Sequence, residues 1–280
     1  MDHPCPLLTL AIMLRRELLL ILLTVVGCLL LLTACQGALI YPSPRYPRDT
    51  LDRLPTGVQR LDFTTDQGAQ HAWLWTAGEP TTVTQWWVVF GGNGMTALDW
   101  LGVLTPDEGR GFLLIDYPGY GNNAGSCTPS RILRASEGAV AALAQRLTTT
   151  PEVLGPRLNL LGHSLGAAAA LQHAAVHPCQ RIILSAPFTS MVAMGHRQLF
   201  WPCGQLVWHR FDNLDRLDEI GQQTPPPRIL ILHGTEDRLI PIGMSESLTA
   251  AHPTFITLVR QPGATHASII AFLSTALRQP

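Results

Sequence analysis

The chain has 280 residues, of which 46% are apolar and 14% are charged, and its formal net charge is −1. This length fits one medium-sized domain with accessory segments, and the apolar fraction can fill a large core. The near-neutral charge argues against a partner that is bound through nucleic-acid phosphates. All 19 basic residues are arginine. This excludes lysine Schiff-base chemistry, a Ser–Lys dyad and a Walker A phosphate loop, since each requires a lysine.

The N-terminal segment is typical of a secretory signal. Arg15 and Arg16 precede an apolar run from Leu18 to Ala34 that ends in small residues. A positive segment followed by such a run predicts a signal peptide over residues 1–34. Residues 1–12 carry an acidic residue, a histidine and two prolines, whereas Met13 is followed at once by Leu-Arg-Arg. We therefore expect translation to start at Met13.

The end of this run, Leu32-Thr33-Ala34-Cys35, resembles the lipobox of bacterial lipoproteins. In that family the chain is cut before the cysteine and the thiol receives diacylglycerol, so the resemblance implies a lipid anchor at Cys35 in the bacterial cell envelope. Gln36, where an aspartate would retain the protein in the inner membrane, implies outer-membrane sorting on the periplasmic side. The alternative is an uncleaved signal anchor, because the apolar run is just long enough to span a bilayer.

After the anchor the chain becomes rich in proline. Residues 36–57 carry four prolines and mixed charge, which predicts an extended tether without a regular element. We assign residues 35–57 to the lipidated cysteine and this tether, and residues 58–280 to a single domain. The domain opens with two predicted strands, residues 58–65 and 70–76, joined by a turn at Asp66-Gln67-Gly68.

Apolar strands then alternate with helical stretches. Strands are predicted at residues 85–90, 111–115, 158–161, 181–184, 228–232 and 254–259, and helices at 129–147, 243–251 and 267–277. This alternation predicts an α/β fold with a mostly parallel central sheet and helices on both faces. An insertion at about residues 187–227 carries Met191, Met194, Phe200, Trp201 and Trp208 and is predicted as a short lid.

A nucleophile is indicated by the run Leu158-Asn-Leu-Leu-Gly-His-Ser-Leu-Gly166, which contains G-x-S-x-G with Ser164 at its centre. An apolar strand before this pentapeptide and an Ala-rich stretch after it predict a sharp strand–turn–helix that exposes the serine hydroxyl. The backbone N–H groups of Asn93 and Leu165 are the candidate donors of an oxyanion hole, because a tetrahedral oxyanion needs preorganised donors.

The acid and the base follow downstream. Asp237 stands in the loop after a predicted strand, and His266 stands just before the last predicted helix. Ser164, Asp237 and His266 therefore occur in the Ser…Asp…His order. His266 would take the proton of the serine, and Asp237 would fix its tautomer. Glu236 is the alternative acid.

The six cysteines form no C-x-x-C pair and show no zinc-like spacing with histidine. We expect neither a metal nor an organic cofactor. One disulfide, between Cys127 and Cys203, is an open possibility.

Several short sequence motifs are distributed over most of residues 58–280, and because of these motifs the chain resembles the α/β-hydrolase superfamily. The narrower resemblance is to its Bem46-like branch, which includes the ABHD12, ABHD13 and ABHD17 hydrolases. The motifs are Gly91-Gly-Asn-Gly, Asp116-Tyr-Pro-Gly-Tyr-Gly, Gly162-His-Ser-Leu-Gly, Ser185-Ala-Pro-Phe-Thr-Ser, Arg210-Phe-Asp-Asn, His233-Gly-Thr-Glu-Asp and Gly263-Ala-Thr-His. The branch usually has a histidine at the position of Gly91.

Together, the residues and the resemblance predict a membrane-anchored serine hydrolase that cleaves carboxylic esters or thioesters through an acyl-enzyme. Its expected partners are a small-molecule or acyl ester substrate and a membrane. A serine aminopeptidase of the same fold is the alternative within the enzymes. A lipoprotein that has kept the fold only as a binding module is the alternative outside them.

Overall fold

The computed structural model of the chain describes residues 6–198 and 203–278. It begins with the helix α1 (Pro6–Ala34), followed after Cys35 by the short helix α2 (Gln36–Ile40). Most of the apolar side chains along α1 are exposed. Within the described part of the chain, no helix combines the length and the apolar character that crossing a membrane requires.

The domain consists of one eight-stranded sheet and its covering helices. The strands are β1 (Val58–Thr65), β2 (Gly68–Trp75), β3 (Gln85–Phe90), β4 (Arg110–Ile115), β5 (Leu158–His163), β6 (Arg181–Ser185), β7 (Arg228–Gly234) and β8 (Ile256–Gln261). The helices are α3 (Pro129–Arg146), α4 (Pro151–Leu154), α5 (Leu165–Val176), α6 (Met191–Gln198), α7 (Asn213–Gly221), α8 (Ile242–Ala251) and α9 (Leu273–Ala276). Every predicted strand is present, with bounds that differ by at most two residues at either end.

The sheet has the order β1-β2-β4-β3-β5-β6-β7-β8. Only β2 runs antiparallel to its neighbours, β1 and β4, so the predicted mostly parallel sheet is confirmed. The register sets Phe90 beside Gly162, and Gly162 beside Leu184. The carboxyl ends of β3, β5 and β6 therefore lie side by side, and the loops that leave them share one edge of the sheet.

Both faces of the sheet are buried. Trp86 and Trp87 are adjacent on β3, so their side chains point to opposite faces, and each lies in a different core cluster. One cluster is covered by α3, α5 and α7. The other is covered by the short helical turns at residues 97–102 and 268–277. The predicted last helix is thus a 3-10 helix (Ser268–Phe272) that passes into the single turn of α9.

The insertion predicted as a lid at residues 187–227 divides into two parts. Its second part, α7, is a core helix, because Leu217 and Ile220 are fully buried in the main cluster. The first part is described at residues 189–198, which include α6, and 203–212, and we call these residues the lid segment; Phe211 near its end is buried in the main cluster. Phe200 and Trp201, two of the apolar residues of the predicted lid, lie outside the described residues.

Residues 36–57 differ from the predicted structureless tether. They contain α2 and a 3-10 turn (Leu51–Arg53), and they pack along the domain. Tyr41 is buried in the main core cluster, and the Tyr46 hydroxyl donates to Asp116 Oδ2 at 2.5 Å. The backbone N–H of Gly121 donates to Pro44 O at 2.8 Å. The segment is therefore part of the folded domain.

The possible disulfide is absent. Cys127 is a free, buried thiol whose Sγ lies 3.1 Å from the carbonyl oxygen of Pro118. The side chain of its suggested partner, Cys203, lies outside the described residues.

Candidate active site

Ser164 occupies the turn between β5 and α5, with φ of 54° and ψ of −116°. This positive φ is strained for a residue with a side chain, and such strain is typical of the nucleophile turn in this strand–turn–helix arrangement. A Cβ at Gly162 would overlap the carbonyl of Gly166, and a Cβ at Gly166 would overlap the carbonyl of Phe90. Both glycines are therefore required by the close approach of α5 to the sheet.

The turn is also fixed by the neighbouring strand. The backbone N–H of Ser164 donates to Ser185 O at the end of β6, at 2.8 Å, and Ala167 N donates to Ser164 O at 3.0 Å. Leu165 is the first residue of α5, and the first N–H groups of a helix have no partner within the helix. Its amide is thus placed directly after the serine, as a candidate oxyanion donor must be.

Asp237 and His266 are joined by a hydrogen bond beyond the carboxyl end of β7. His266 Nδ1 donates to Asp237 Oδ2 at 2.7 Å, and the carboxylate is buried while the imidazole is partly open to solvent. The other carboxylate oxygen, Oδ1, accepts the N–H groups of Leu239 at 2.9 Å and Ile240 at 2.8 Å. A carboxylate held by this many donors is fixed in orientation and can in turn fix the imidazole.

These contacts keep Asp237 ionised. Burial alone would raise the pKa of the Asp237 carboxyl, but hydrogen bonds from His233 and His266 and from the backbone outweigh it and lower the pKa below its usual range. His233 is fully buried. It makes close contacts with Ser245 Oγ at 2.6 Å and Ile240 O at 2.8 Å, and its Nε2 lies 3.4 Å from Asp237 Oδ2. His233 therefore supports the loop that carries the acid.

His266 lies against the turn that carries Ser164. The ring of His266 packs on the ring of His163, with centroids 4.9 Å apart, and His163 immediately precedes Ser164. The structure thus brings the loops of all three predicted residues to the same edge of the sheet. Glu236, the alternative acid, is exposed, and it is the neighbouring Asp237 whose carboxylate binds His266 Nδ1.

His163 has a role that the sequence did not predict. Its Nδ1 lies 3.0 Å from Ser185 Oγ, and both side chains are buried. Burial, followed by the nearby His266, lowers the pKa of His163 to about 3, so its ring stays neutral beside the base. Ser185 therefore contacts the site twice, through its carbonyl at Ser164 and through its hydroxyl at His163.

The candidate oxyanion loop follows β3 at residues 91–94. Two tyrosines hold it: Tyr117 OH donates to Gly91 O at 2.6 Å, and Tyr120 OH donates to Asn93 O at 2.7 Å. Met95 N donates to Gly92 O at 3.1 Å, which fixes the peptide that carries the Asn93 N–H. Both tyrosines belong to the motif Asp116-Tyr-Pro-Gly-Tyr-Gly, from which the sequence alone did not predict this support.

The glycine that replaces the usual histidine has a local explanation. A Cβ at Gly91 would lie 3.2 Å from Met95 Cβ, so Met95 fills the space that a larger residue would need. The tyrosine hydroxyls and the Met95 amide supply the hydrogen bonds that hold the loop without it.

Asp116, the other buried acid near this edge, holds structure together. Its Oδ1 accepts the Ala97 N–H at 2.9 Å, and its Oδ2 accepts Tyr46 OH at 2.5 Å and Trp73 Nε1 at 3.0 Å. In the part of the chain that the structure describes, no three His, Cys, Asp or Glu side chains are grouped so as to hold a metal ion.

Comparison with known proteins agrees with this architecture. The family model described as "Alpha/beta hydrolase family" matches residues 87–276. The uncharacterized protein YfhR of Salmonella typhimurium is 31% identical over 250 residues, which cover 82% of this chain and 80% of that protein. Among solved structures, the esterase Pf2001 of Pyrococcus furiosus superposes with a TM-score of 0.61 at 14% identity, covering 85% of this chain and 94% of the esterase.

Other relatives match only part of their own length. An uncharacterized protein of Mycobacterium tuberculosis is 32% identical over 163 residues, covering 56% of this chain and 53% of that protein. Alpha/beta hydrolase domain-containing protein 17C of Xenopus tropicalis is 30% identical over 154 residues, covering 55% of this chain and 46% of that protein. The chain thus spans about half the length of these relatives. The family model and the match to YfhR each cover well over half of the chain, and the chain therefore belongs to the alpha/beta hydrolase family.

Proposed function

We propose that this chain is a serine hydrolase that cleaves carboxylic esters or thioesters through an acyl-enzyme on Ser164. The observation that carries the proposal is the buried Asp237 carboxylate bound to His266 Nδ1 at 2.7 Å, on a ring that packs against the serine turn. Because Nδ1 carries the proton that Asp237 accepts, Nε2 of the neutral ring is free to act as a base.

In the first half of the reaction, Nε2 of His266 takes the proton from Ser164 as Oγ attacks the carbonyl carbon. Asp237 stabilises the imidazolium that forms. The negative charge on the carbonyl oxygen is stabilised by the N–H groups of Leu165 and Asn93, each typically worth a factor of about 100 to 1,000 in rate. The tetrahedral intermediate then collapses, and the imidazolium gives its proton to the departing alcohol or thiol.

In the second half, a water molecule attacks the acyl carbon while Nε2 of His266 takes one of its protons. The C–O bond to Ser164 breaks, the serine recovers its proton from the imidazolium, and the carboxylic acid leaves. His163 stays neutral throughout this cycle, so the transient charge on His266 meets no second positive ring.

A fluorophosphonate probe tests the nucleophile, because it reacts covalently with an activated serine. We expect the wild-type protein to be labelled, and Ser164→Ala to lose the label. Ser247→Ala removes an exposed hydroxyl on α8 and is the matched control, which should label like the wild type. A folded wild-type protein that takes no label would refute the proposal and favour a binding lipoprotein.

The leaving group is tested with two substrate series. Nitrophenyl esters and thioesters of increasing acyl length should be hydrolysed, whereas aminoacyl and peptide amides should turn over much more slowly. Faster cleavage of the amides would instead identify a peptidase of the same fold.

We further propose that the protein is a lipoprotein held at the envelope membrane through Cys35. The thiol of Cys35 is free and exposed at the junction of α1 and α2, where a modifying enzyme can reach it. Metabolic labelling with a radioactive fatty acid should mark the wild type, and Cys35→Ala should abolish the mark. Cys28→Ala removes an exposed thiol within α1 and is the control that should retain the mark. A mature protein that still carries residues 13–34 would favour the uncleaved signal anchor.

A further inference from the structure

The point at which the chain leaves the domain toward the proposed anchor is fixed by the lid segment. Gln36, directly after Cys35, is buried, and its side-chain amide makes two hydrogen bonds to the backbone of the lid segment. Its Nε2 donates to Leu206 O, and its Oε1 accepts the N–H of Trp208 at 2.7 Å. Consecutive Cα atoms are about 3.8 Å apart, so no slack separates Cys35 from this contact. A lipid on Cys35 must therefore enter its bilayer beside the lid segment.

Large apolar side chains are exposed at this same place. Trp208 is 77% exposed and Leu39, on α2, is 65% exposed. Tryptophan favours the boundary between the acyl chains and the headgroups of a bilayer. Arg197 and Arg210, also in the lid segment, are exposed and can meet anionic headgroups. We call Leu39, Trp208, Arg197 and Arg210 the lid face.

The lid face is joined to the active-site edge of the sheet. Within the lid segment, Gly195 of α6 packs so closely on Gly204 that a Cβ there would lie 3.0 Å from Gly204 Cα. Arg197 of α6 then donates to Arg238 O at 3.1 Å, in the loop that carries Asp237. A series of direct contacts thus runs from the anchor, through the lid segment, to the catalytic acid.

We propose that the lid face rests on the bilayer that holds Cys35, so that the active-site edge is presented to the membrane. The substrate is then an ester or thioester whose acyl chain lies in that membrane. The choice of a bilayer as the occupant follows from the exit point of the chain, from the exposed Trp208 and Leu39, and from the two exposed arginines of the lid segment. The substrate class rests on the proposed hydrolase function, and the membrane contact rests on the proposed lipid anchor at Cys35.

The contact is tested on the full-length lipoprotein reconstituted in phosphatidylethanolamine–phosphatidylglycerol vesicles whose acyl chains carry bromine, which quenches tryptophan at short range. The wild type should lose more fluorescence than Trp208→Phe, and the difference is the signal of Trp208. Equal quenching of the two proteins would overturn the membrane contact. So would an oligomer that Leu39→Ser/Trp208→Ser breaks apart, since that result would make the lid face a contact between protein copies.

The substrate class is tested by comparing two esters. Leu39→Ser/Trp208→Ser should hydrolyse a long-chain ester embedded in the vesicles about tenfold more slowly, since burying a leucine-sized side chain is worth at least that factor. Its hydrolysis of soluble nitrophenyl acetate should be unchanged. Val153→Ser/Val176→Ser, which alters exposed apolar residues on α4 and at the end of α5, is the matched control and should change neither rate.

Equal loss on both esters, or loss on neither, would overturn the substrate class. A wild-type protein that hydrolyses neither ester would instead refute the proposed hydrolase. In that case the quenching difference still decides whether the lid face touches the membrane.

Discussion

Replacing Ser185 with alanine separates a purely structural role of this residue from a role in orienting His266. The substitution removes the hydroxyl that lies 3.0 Å from His163 Nδ1 but keeps the carbonyl that accepts the Ser164 N–H. His163 Nδ1 is then buried without its partner, which costs about 1–3 kcal/mol of unfolding free energy.

The effect on activity follows from the ring contact between His163 and His266. The ring centroids of His163 and His266 are 4.9 Å apart, so the two rings are in contact. A His163 ring that is free to turn no longer holds the His266 ring in one orientation. A misplacement of about 1 Å at a reacting group can cost up to about a hundredfold in rate. We therefore expect kcat on a soluble ester to fall about tenfold or more, with KM little changed because the Ser185 side chain is fully buried against His163.

A second buried Ser–His pair supplies the control. Ser136 Oγ lies 2.9 Å from His173 Nδ1 between α3 and α5, outside the active site, and burial lowers the pKa of His173 to about 3, as for His163. Ser136→Ala should lose a similar unfolding free energy in urea denaturation and keep its kcat. If Ser185→Ala loses no more kcat than Ser136→Ala, the orienting role of His163 is refuted.

Three further predictions address the rest of the site. Asp237→Asn should lower kcat by about 10,000-fold with the fold intact, because an amide favours the wrong tautomer of the base; steady-state kinetics and circular dichroism check both parts. Tyr117→Phe removes the hydrogen bond to Gly91 O that holds the candidate oxyanion loop, and it should lower kcat without raising KM. Tyr41→Phe is the control, because the Tyr41 hydroxyl is buried and has no hydrogen-bond partner in the described chain; this variant should keep its kcat. Because His163 and His173 have lowered pKa values of about 3, the unfolded state binds more protons than the folded state below about pH 6.5, and stability should fall as the pH drops toward 4. His173→Gln should remove about 1.4 kcal/mol per pH unit from that slope in urea titrations, and an unchanged slope would contradict the assignment.

The parts of the molecule that local physics determines could be predicted from the sequence. The strand–turn–helix at Ser164 is encoded by an apolar run and by two glycines whose Cβ atoms would overlap the backbone. The sequence leaves the choice between Asp237 and Glu236 open, because the direction of each side chain depends on how the loop after β7 turns. Only the Asp237 side chain folds back to accept the N–H groups of Leu239 and Ile240, and this direction brings it to His266.

Local sequence patterns do not predict contacts between residues that are distant along the chain. Nothing local to Tyr117 indicates that its hydroxyl reaches Gly91, and nothing local to Ser185 indicates a bond to His163. Both contacts arise because β3, β4, β5 and β6 end at one edge of the sheet, in a register that depends on the whole fold. The same reasoning explains the lid. The apolar residues of α7 have the pattern of any buried helix, and only the fold shows that they pack on α5.

The composition of the proline-rich segment at residues 36–57 predicts that it forms no strand. It does not predict that the segment packs on the domain. Proline has no N–H group to satisfy, so an extended proline-rich chain can lie on a surface and offer its carbonyls to the donors of the domain. Pro44 O accepts the Gly121 N–H in this way, while Tyr41 and Tyr46 fill space at the core. Because this segment is bound to the domain at Gln36 and again at Pro44, it cannot act as a flexible linker. If Cys35 carries the lipid, the domain can meet its membrane only in the orientation that Gln36 and the lid segment impose.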